Sequence, residues 1–415
     1  MNKSYKIVFA ILALGTLVLA SCTKADDPSQ PVGQAIPYTS GTTQTIAQIL
    51  DSLPNTTFFD SAYRHAGMEA YLDSLRAGVK GAPFTIFVPT DNAFQAAGFT
   101  LQQIGQTSKF VLDSLLFYLT VMGSYTYIDF DSLAGNAVLN TVLTDPNMQR
   151  TLGPSFSAGS PYQYQLHVGV RNGTLWLNGT PVKTAAQIVQ GTDGVVWTSD
   201  QMVQKPFLET YQVLTQDTTY SFYTTALRIS DSIYHSSLNY SMGYFFSDTL
   251  GLQLKSGQPY ITVLAPTNQA FRNAGFNGIP DIYTYIGKSA TLSEGGVDAE
   301  GRYVRTNLDS ILDLHRLGYG PYTNFANPYF TVLLHTNDML YNSTVNNMLI
   351  WYAQSYNAPQ TSVYTDVDFQ NNNGQVVVHR VDAPGGRAVN IIAPHDVTTL
   401  NGIVHRVDNL LLPTP

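Results

Sequence analysis

The sequence predicts an α+β fold built twice along one chain of 415 residues. Three observations predict it. A sixteen-residue segment occurs twice, a second short segment recurs downstream of each copy, and within each half helical periodicity precedes strand-and-turn patterning. Residues 84–99 read FTIFVPTDNAFQAAGF and residues 261–276 read ITVLAPTNQAFRNAGF. Thr85, Pro89, Thr90, Ala93, Phe94, Ala97, Gly98 and Phe99 are identical to the residues 177 positions further on, among them Thr262, Pro266, Thr267 and Phe271.

The elements follow in order. Lys3 and Lys6 precede an apolar run, Ile7 to Ala20, which at 14 residues is short for a membrane span. It ends in Leu19-Ala20-Ser21-Cys22, which resembles a bacterial lipobox, so residues 1–21 are expected to be a lipoprotein signal peptide and Cys22 the lipid attachment site. Cys22 is the only cysteine, which leaves the mature chain without disulfides or cysteine-based metal sites. Residues 22–43 are rich in Pro, Gly, Ser and Thr and read as a flexible tether. The tether opens Lys24-Ala25-Asp26-Asp27, similar to the short acidic signal that sends lipoproteins of glycan-foraging Gram-negative bacteria to the outer surface. The expected location is therefore the outer membrane, surface-exposed, with a periplasm-facing lipoprotein as the alternative.

Residues 45–75 read as two amphipathic helices broken at Pro54, and 209–233 as their counterpart. In each repeated segment an apolar strand ends at Pro, which cannot extend the ladder. Thr90 and Thr267 are N-cap residues of a short helix, with Ala93, Phe94 and Ala97 facing inward, and Gly98 and Gly275 stop it. A middle helix follows at 109–122 and 306–318, both sharing Leu-Asp-Ser. Residues 169–182 carry two Asn-Gly turns around a four-residue strand, a hairpin signal repeated at Asn373-Gly374 and Gly385-Gly386. The repeat offset grows from 177 to 196 at the middle helix and 208 at the second short segment, so the second half carries insertions, one around 289–306 and one after its middle helix. A private binding feature would be sought in the first insertion or the Tyr-rich 321–330.

The first repeat resembles the opening signature of the fasciclin (FAS1) family. Residues 401–413, NGIVHRVDNLLLP, are similar to its second signature through Asn401, Gly402, His405, Asp408 and Pro413. Residues 193–206 are a degenerate copy that keeps Asp193, Gly194 and Asp200 but has Trp197 where the family has His. The resemblance implies two tandem fasciclin-like domains, 44–206 and 207–415, each a wedge-like β-sandwich packed with several helices. It implies a structural role for the motif residues, His405 included. It also implies adhesion to matrix, cells or surface polysaccharide. Some animal members engage integrins through a Tyr-His pair in the middle helix. Tyr118 is followed by Leu119 and His315 is preceded by Leu314, so each domain has half the pair and both residues are expected to pack.

Catalysis finds no support in the residues. Neither a nucleophile elbow nor a paired-histidine zinc motif occurs. Of eight histidines, His379, His395 and His405 lie where adjacent strands bring imidazoles together; they are read as strand residues, with no metal and no cofactor. Without Lys3 and Lys6 the mature chain has 19 basic against 29 acidic residues and no basic block, which excludes phosphate-neutralising binding to nucleic acid. Charged residues are 12% of the chain, and 26 Tyr with Asn, Gln, Ser and Thr supply the polar surface, suited to uncharged partners such as glycans. Asp-Ser/Thr recurs in a pattern similar to a bacterial O-glycosylation acceptor, with loop-like Ser132 and Thr249 the better candidates. The expectation is a non-enzymatic, lipid-anchored surface protein that binds polysaccharide, matrix or a surface protein. The alternative is an accessory glycan-binding lipoprotein of an outer-membrane transporter complex, with aromatic platforms drawn from residues such as Trp176 and Trp351; Trp197 is expected in the core.

Overall fold

Helix ends in this chain are set by local chemistry. Helix α1 (Ile46–Ser52) starts at a capping box: Thr45 Oγ1 accepts from the Gln48 N–H and the Gln48 side chain accepts from the Thr45 N–H. It ends at Ser52, two residues before Pro54, as expected. The span read as a single second helix is two, α2 (Thr57–Ala66) and α3 (Met68–Gly78). Gly67, at φ +66°, takes the left-handed conformation between them, and its N–H donates to the Arg64 carbonyl.

The computed structural model describes residues 41–79, 81–150, 160–183, 186–237, 260–287, 307–317, 332–342, 345, 349–353, 361–364, 367–380 and 386–412. These belong to one unit, Ser40–Pro415. Cys22 with the leader 1–21, the tether to residue 40, Thr249, the insertion 289–306, residues 321–330, Gly385 and Pro413 lie outside the described residues.

The first half continues with β1 (Phe84–Pro89), α4 (Asp91–Ala96), α5 (Leu101–Gln106), α6 (Lys109–Tyr118), β2 (Thr120–Met122), α7 (Tyr127–Asp131), β3 (Ala137–Arg150), β4 (Ser160–Arg171), β5 (Thr174–Leu177), β6 (Thr180–Pro181), β7 (Ile188–Gln190) and β8 (Gly194–Ser199). The second half runs α8 (Thr210–Gln216), a 3₁₀ turn (Thr218–Tyr220), α9 (Ser221–Ser237), β9 (Ile261–Pro266), α10 (Asn268–Asn273), α11 (Ile279–Gly287), α12 (Asn307–Leu314), β10 (Arg316–Leu317), α13 (Thr336–Tyr341), β11 (Leu349–Ala353), β12 (Thr361–Tyr364), β13 (Val367–Asn372), β14 (Gln375–Arg380), β15 (Val389–Thr399) and β16 (Gly402–Val407). None of the described helices is long and apolar enough to cross a membrane.

The strands form an eight-stranded sheet, β6-β5-β4-β3-β2-β1-β8-β7, and a six-stranded sheet, β10-β9-β16-β15-β14-β13, with β11 and β12 a separate pair. Both large sheets share one plan. A short strand after the middle helix runs antiparallel to the first-signature strand, which pairs in parallel with the second-signature strand. The register is the same in both: Phe84 faces Gly194 and Phe87 faces Trp197, while Ile261 faces Gly402 and Leu264 faces His405.

In the second half the two faces of β9 feed two cores. Ile261, Val263 and Ala265 pack with Tyr223, Leu227, Phe271, Ile311 and Leu312 from the helices. Leu264 points the other way and joins Phe369, Val378, Val389, Ile391 and Val407 inside the curl of the sheet. Period-2 alternation thus builds a sandwich from one continuous curled sheet with helices on its outer face. The curl is marked on β15 by a register shift between Ile392 and Val397, around the cis Ala393–Pro394 bond. Both residues of three predicted turns, Asn172-Gly173, Asn178-Gly179 and Asn373-Gly374, have positive φ, as two-residue hairpins require.

One local expectation fails. Ala97 is exposed, because α4 ends at Ala96 and Ala97 is already its cap, donating to the Ala93 carbonyl. Phe99 takes the inward contact, edge-on to Phe94 at 5.9 Å. The same geometry recurs between Phe271 and Phe276.

The parallel pair leaves no room at its first position. A Cβ on Gly194 would stand 2.0 Å from the Phe84 carbonyl oxygen, and one on Gly402 would stand 2.3 Å from that of Ile261. Gly194→Ala is therefore expected to lower stability by at least about 2 kcal/mol. Denaturant unfolding followed by the fluorescence of Trp197 checks this.

Candidate functional site: the paired signatures and the junction they frame

The signature side chains are consumed in holding backbone. Thr85 Oγ1 donates to the Gly123 carbonyl and accepts from the Tyr125 N–H, both at 2.8 Å. Thr262 repeats this with the Val332 carbonyl and the Leu334 N–H at 2.8 and 2.9 Å. Pro89 and Pro266 close their strands, and Thr90 and Thr267 cap the next helices by accepting from Ala93 and Ala270. Phe94 and Phe271 are fully buried.

The second signature reaches in the other direction. Asp193 Oδ1 accepts from the Ile46 N–H at 2.7 Å and Asn401 Oδ1 from the Thr210 N–H at 2.8 Å, so each anchors the first helix of its own half. Asp200 accepts from the Lys183 N–H, and Asp408 takes the Asn390 N–H and side-chain amide.

Trp197 and His405 do the same work with different chemistry. Trp197 Nε1 donates to the Tyr125 carbonyl at 2.8 Å, and His405 Nε2 bonds the Leu334 carbonyl at 2.8 Å. Tyr125 and Leu334 are the residues whose N–H groups meet Thr85 and Thr262. His405 Nδ1 accepts from the Asp396 N–H at 3.2 Å, which assigns the neutral tautomer with its proton on Nε2. Burial lowers its pKa to about 4 against the pull of Asp396. His315 is likewise neutral: Nδ1 bonds the Leu264 carbonyl, Nε2 accepts from the Leu411 N–H, and burial lowers it to about 4. Tyr118 is fully buried and bonded to the Gln165 carbonyl and Asn178, so the two half-pairs of the middle helices are internal.

The histidines converge differently from the sequence expectation. His395 and His405 do meet, around Asp396, but His379 sits opposite Asp368 on β13. Two histidines far apart in sequence complete the cluster, because β4 and the N-terminus of α13 pack together across the two halves. His167 Nδ1 lies 2.8 Å from His335 Nε2, with the rings edge-on at 4.9 Å. His335 Nδ1 lies 3.4 Å from Asp396 Oδ1, near enough for attraction but out of line for a hydrogen bond. Asp396 accepts from the Thr336 N–H and hydroxyl and from His395. Burial pushes its carboxyl up, but its interactions with His335, His395 and His405 outweigh this and hold it well below the usual carboxylate range.

Beside the imidazoles runs a second cross-half set. Asp338 Oδ1 accepts from the Asn136 N–H at 2.7 Å, the Asn136 and Asn337 side-chain amides exchange hydrogen bonds, and Arg171 lies 3.8 Å from Asp338. Tyr162 donates to the Leu400 carbonyl at 2.7 Å. The Asn178-Gly179 turn presses in from the first half, where a Cβ on Gly179 would meet His335 Nδ1 at 2.6 Å. Trp176 packs 6.2 Å from Tyr341, so it is an inter-half contact and no free platform. Nothing local in the sequence signals these pairings, which depend on how the halves meet. Among the described residues no group of three His, Cys, Asp or Glu is placed to hold a metal ion. Ser132, expected as a glycosylation acceptor, is exposed at the end of α7.

Comparison with known families matches residues 54–205 to the fasciclin domain. This segment is similar to a fasciclin domain. The second sheet repeats its strand plan, register and signature bonds, which makes it a second fasciclin-like domain in tandem. Among solved structures the chain is similar to a FAS1 domain pair from the insect cell adhesion molecule Fasciclin I, at 16% identity over 86% of this chain and 96% of that one, with a TM-score of 0.29. A comparison with curated proteins finds no match.

Two outcomes follow from this geometry. Thr262→Val strands a buried N–H and a buried carbonyl, and is expected to cost about 1–3 kcal/mol in denaturant unfolding. His315 and His405 take up protons near pH 6.5 when unfolded and only near pH 4 when folded. Stability is thus complete above pH 6.5 and falls as pH drops from 6.5 to 4, by on the order of 3 kcal/mol for each histidine. Unfolding midpoints at pH 7 and pH 4.5 measure it.

Proposed function

We propose that this protein is a non-enzymatic, lipid-anchored surface adhesion protein whose two fasciclin-like domains engage extracellular polymer, matrix or neighbouring cells. The observation that carries the reading is the fate of the signature residues. Thr85, Thr262, Asp193, Asn401, His405 and Asp408, the side chains with most chemistry to offer, are spent on backbone hydrogen bonds inside a duplicated scaffold. A scaffold of that kind presents surfaces, in keeping with the adhesive role typical of fasciclin domains. The anchor is Cys22, supported by the leader and tether that flank it. Display on the outer face of an outer membrane follows from the acidic tether signal, and Ser132 is the accessible candidate for glycosylation.

The test separates the anchor from the binding. Cells carrying the full chain are expected to incorporate labelled fatty acid into it and to attach to matrix or to one another. Cys22→Ala should lose the label, release the protein and abolish attachment. Co-purification of the wild type with a stoichiometric transporter, without any effect on attachment, would replace adhesion with the uptake role.

A further inference from the structure

The junction between the two domains rests on a contact that an added proton can break. We propose that the His167–His335 pair is an acid-released latch: protonation of His167 parts the two imidazoles, opens the neighbouring Asn136–Asp338 contact and frees the two domains to change their relative orientation. This goes beyond the adhesion reading and does not rest on it.

His167 Nδ1 and His335 Nε2 stand 2.8 Å apart with both rings buried, so one nitrogen must donate and the other must accept. A proton on His167 puts a full charge on a buried ring, away from bulk solvent.

The surrounding groups do not absorb that charge. Asp396 on β15 is committed to Thr336 and His395. Asp338 on α13 already accepts from Asn136 and from the His335 N–H, beside Arg171 of β4. On its own side His167 meets Asn178, which is tied to Tyr118 of α6, and neither supplies a negative charge. His405 on β16 is held neutral by its backbone bonds. His395 is half-exposed and its pKa is raised by Asp396, so its protonation tightens the cluster. Burial first, then the neighbouring His335, lower the pKa of His167 well below the ordinary value, in the same sense as the geometry.

The sign follows. In the open junction His167 binds a proton with ordinary affinity, near pH 6.5, and in the closed one it does not. The ratio of open to closed therefore grows about tenfold for each pH unit below 6.5. The Asn136 N–H is a direct reporter, because its acceptor, Asp338, belongs to the other domain.

The experiment is amide hydrogen exchange on the purified full chain in mild detergent, corrected for the intrinsic pH dependence of exchange. From pH 7.5 to 5.0 the opening constant of the Asn136 amide is expected to rise about 30-fold while staying well above that of the β1 amides, which marks opening of the junction short of unfolding. His167→Asn puts an amide near the place of Nδ1 that donates but does not titrate, and should flatten that rise. Should this variant fail to fold, the wild type still decides, because the His167 ring must titrate in step with Asn136 opening by NMR. A flat Asn136 profile in the wild type, or an equal slope in His167→Asn, overturns the proposal.

Discussion

The parallel pairing of the first-signature strand with the last strand of its domain is the constraint on which the rest depends. It joins segments separated by more than a hundred residues, β1 to β8 and β9 to β16, and brings the backbones so close at the first position that only Gly194 and Gly402 fit. Once the pair is made, Asp193 and Asn401 are placed to receive the first helix, Thr85 and Thr262 to clamp the chain after the middle helix, and Trp197 and His405 to bond the same clamp from the next strand. Helices then cover one face and the curled sheet fills the other.

The two domains show how one constraint admits different chemistry. An indole N–H and an imidazole N–H reach equivalent carbonyls from equivalent positions, so in this chain either ring does the work. The replacement has a consequence. Trp197 makes an apolar cluster with Phe87 and Phe130, whereas His405 accepts the Asp396 N–H and draws that carboxylate into the junction. The second domain therefore adds a buried carboxylate to the inter-domain contact.

Much of this was legible in the sequence. The apolar run before Pro89 gave a buried strand, Thr90 and Thr267 gave caps, and the Asn-Gly dipeptides gave hairpin turns, because each is decided within a few residues. The split at Gly67 and the exposure of Ala97 were missed, since helix ends turn on single backbone conformations. The parallel pairing and the His167–His335 contact were not legible. Both depend on long-range packing that leaves no periodic mark, and His335 is 168 residues from its partner.

Each domain is closed by its parallel signature pair. Site-resolved amide exchange under native conditions tests it most directly. The slowest-exchanging amides are predicted to lie in β1, β8, β9 and β16, the last groups to open before global unfolding. If those amides exchange as fast as the hairpin amides of β5, β6, β13 and β14, the pair is not the closing element and the account is wrong.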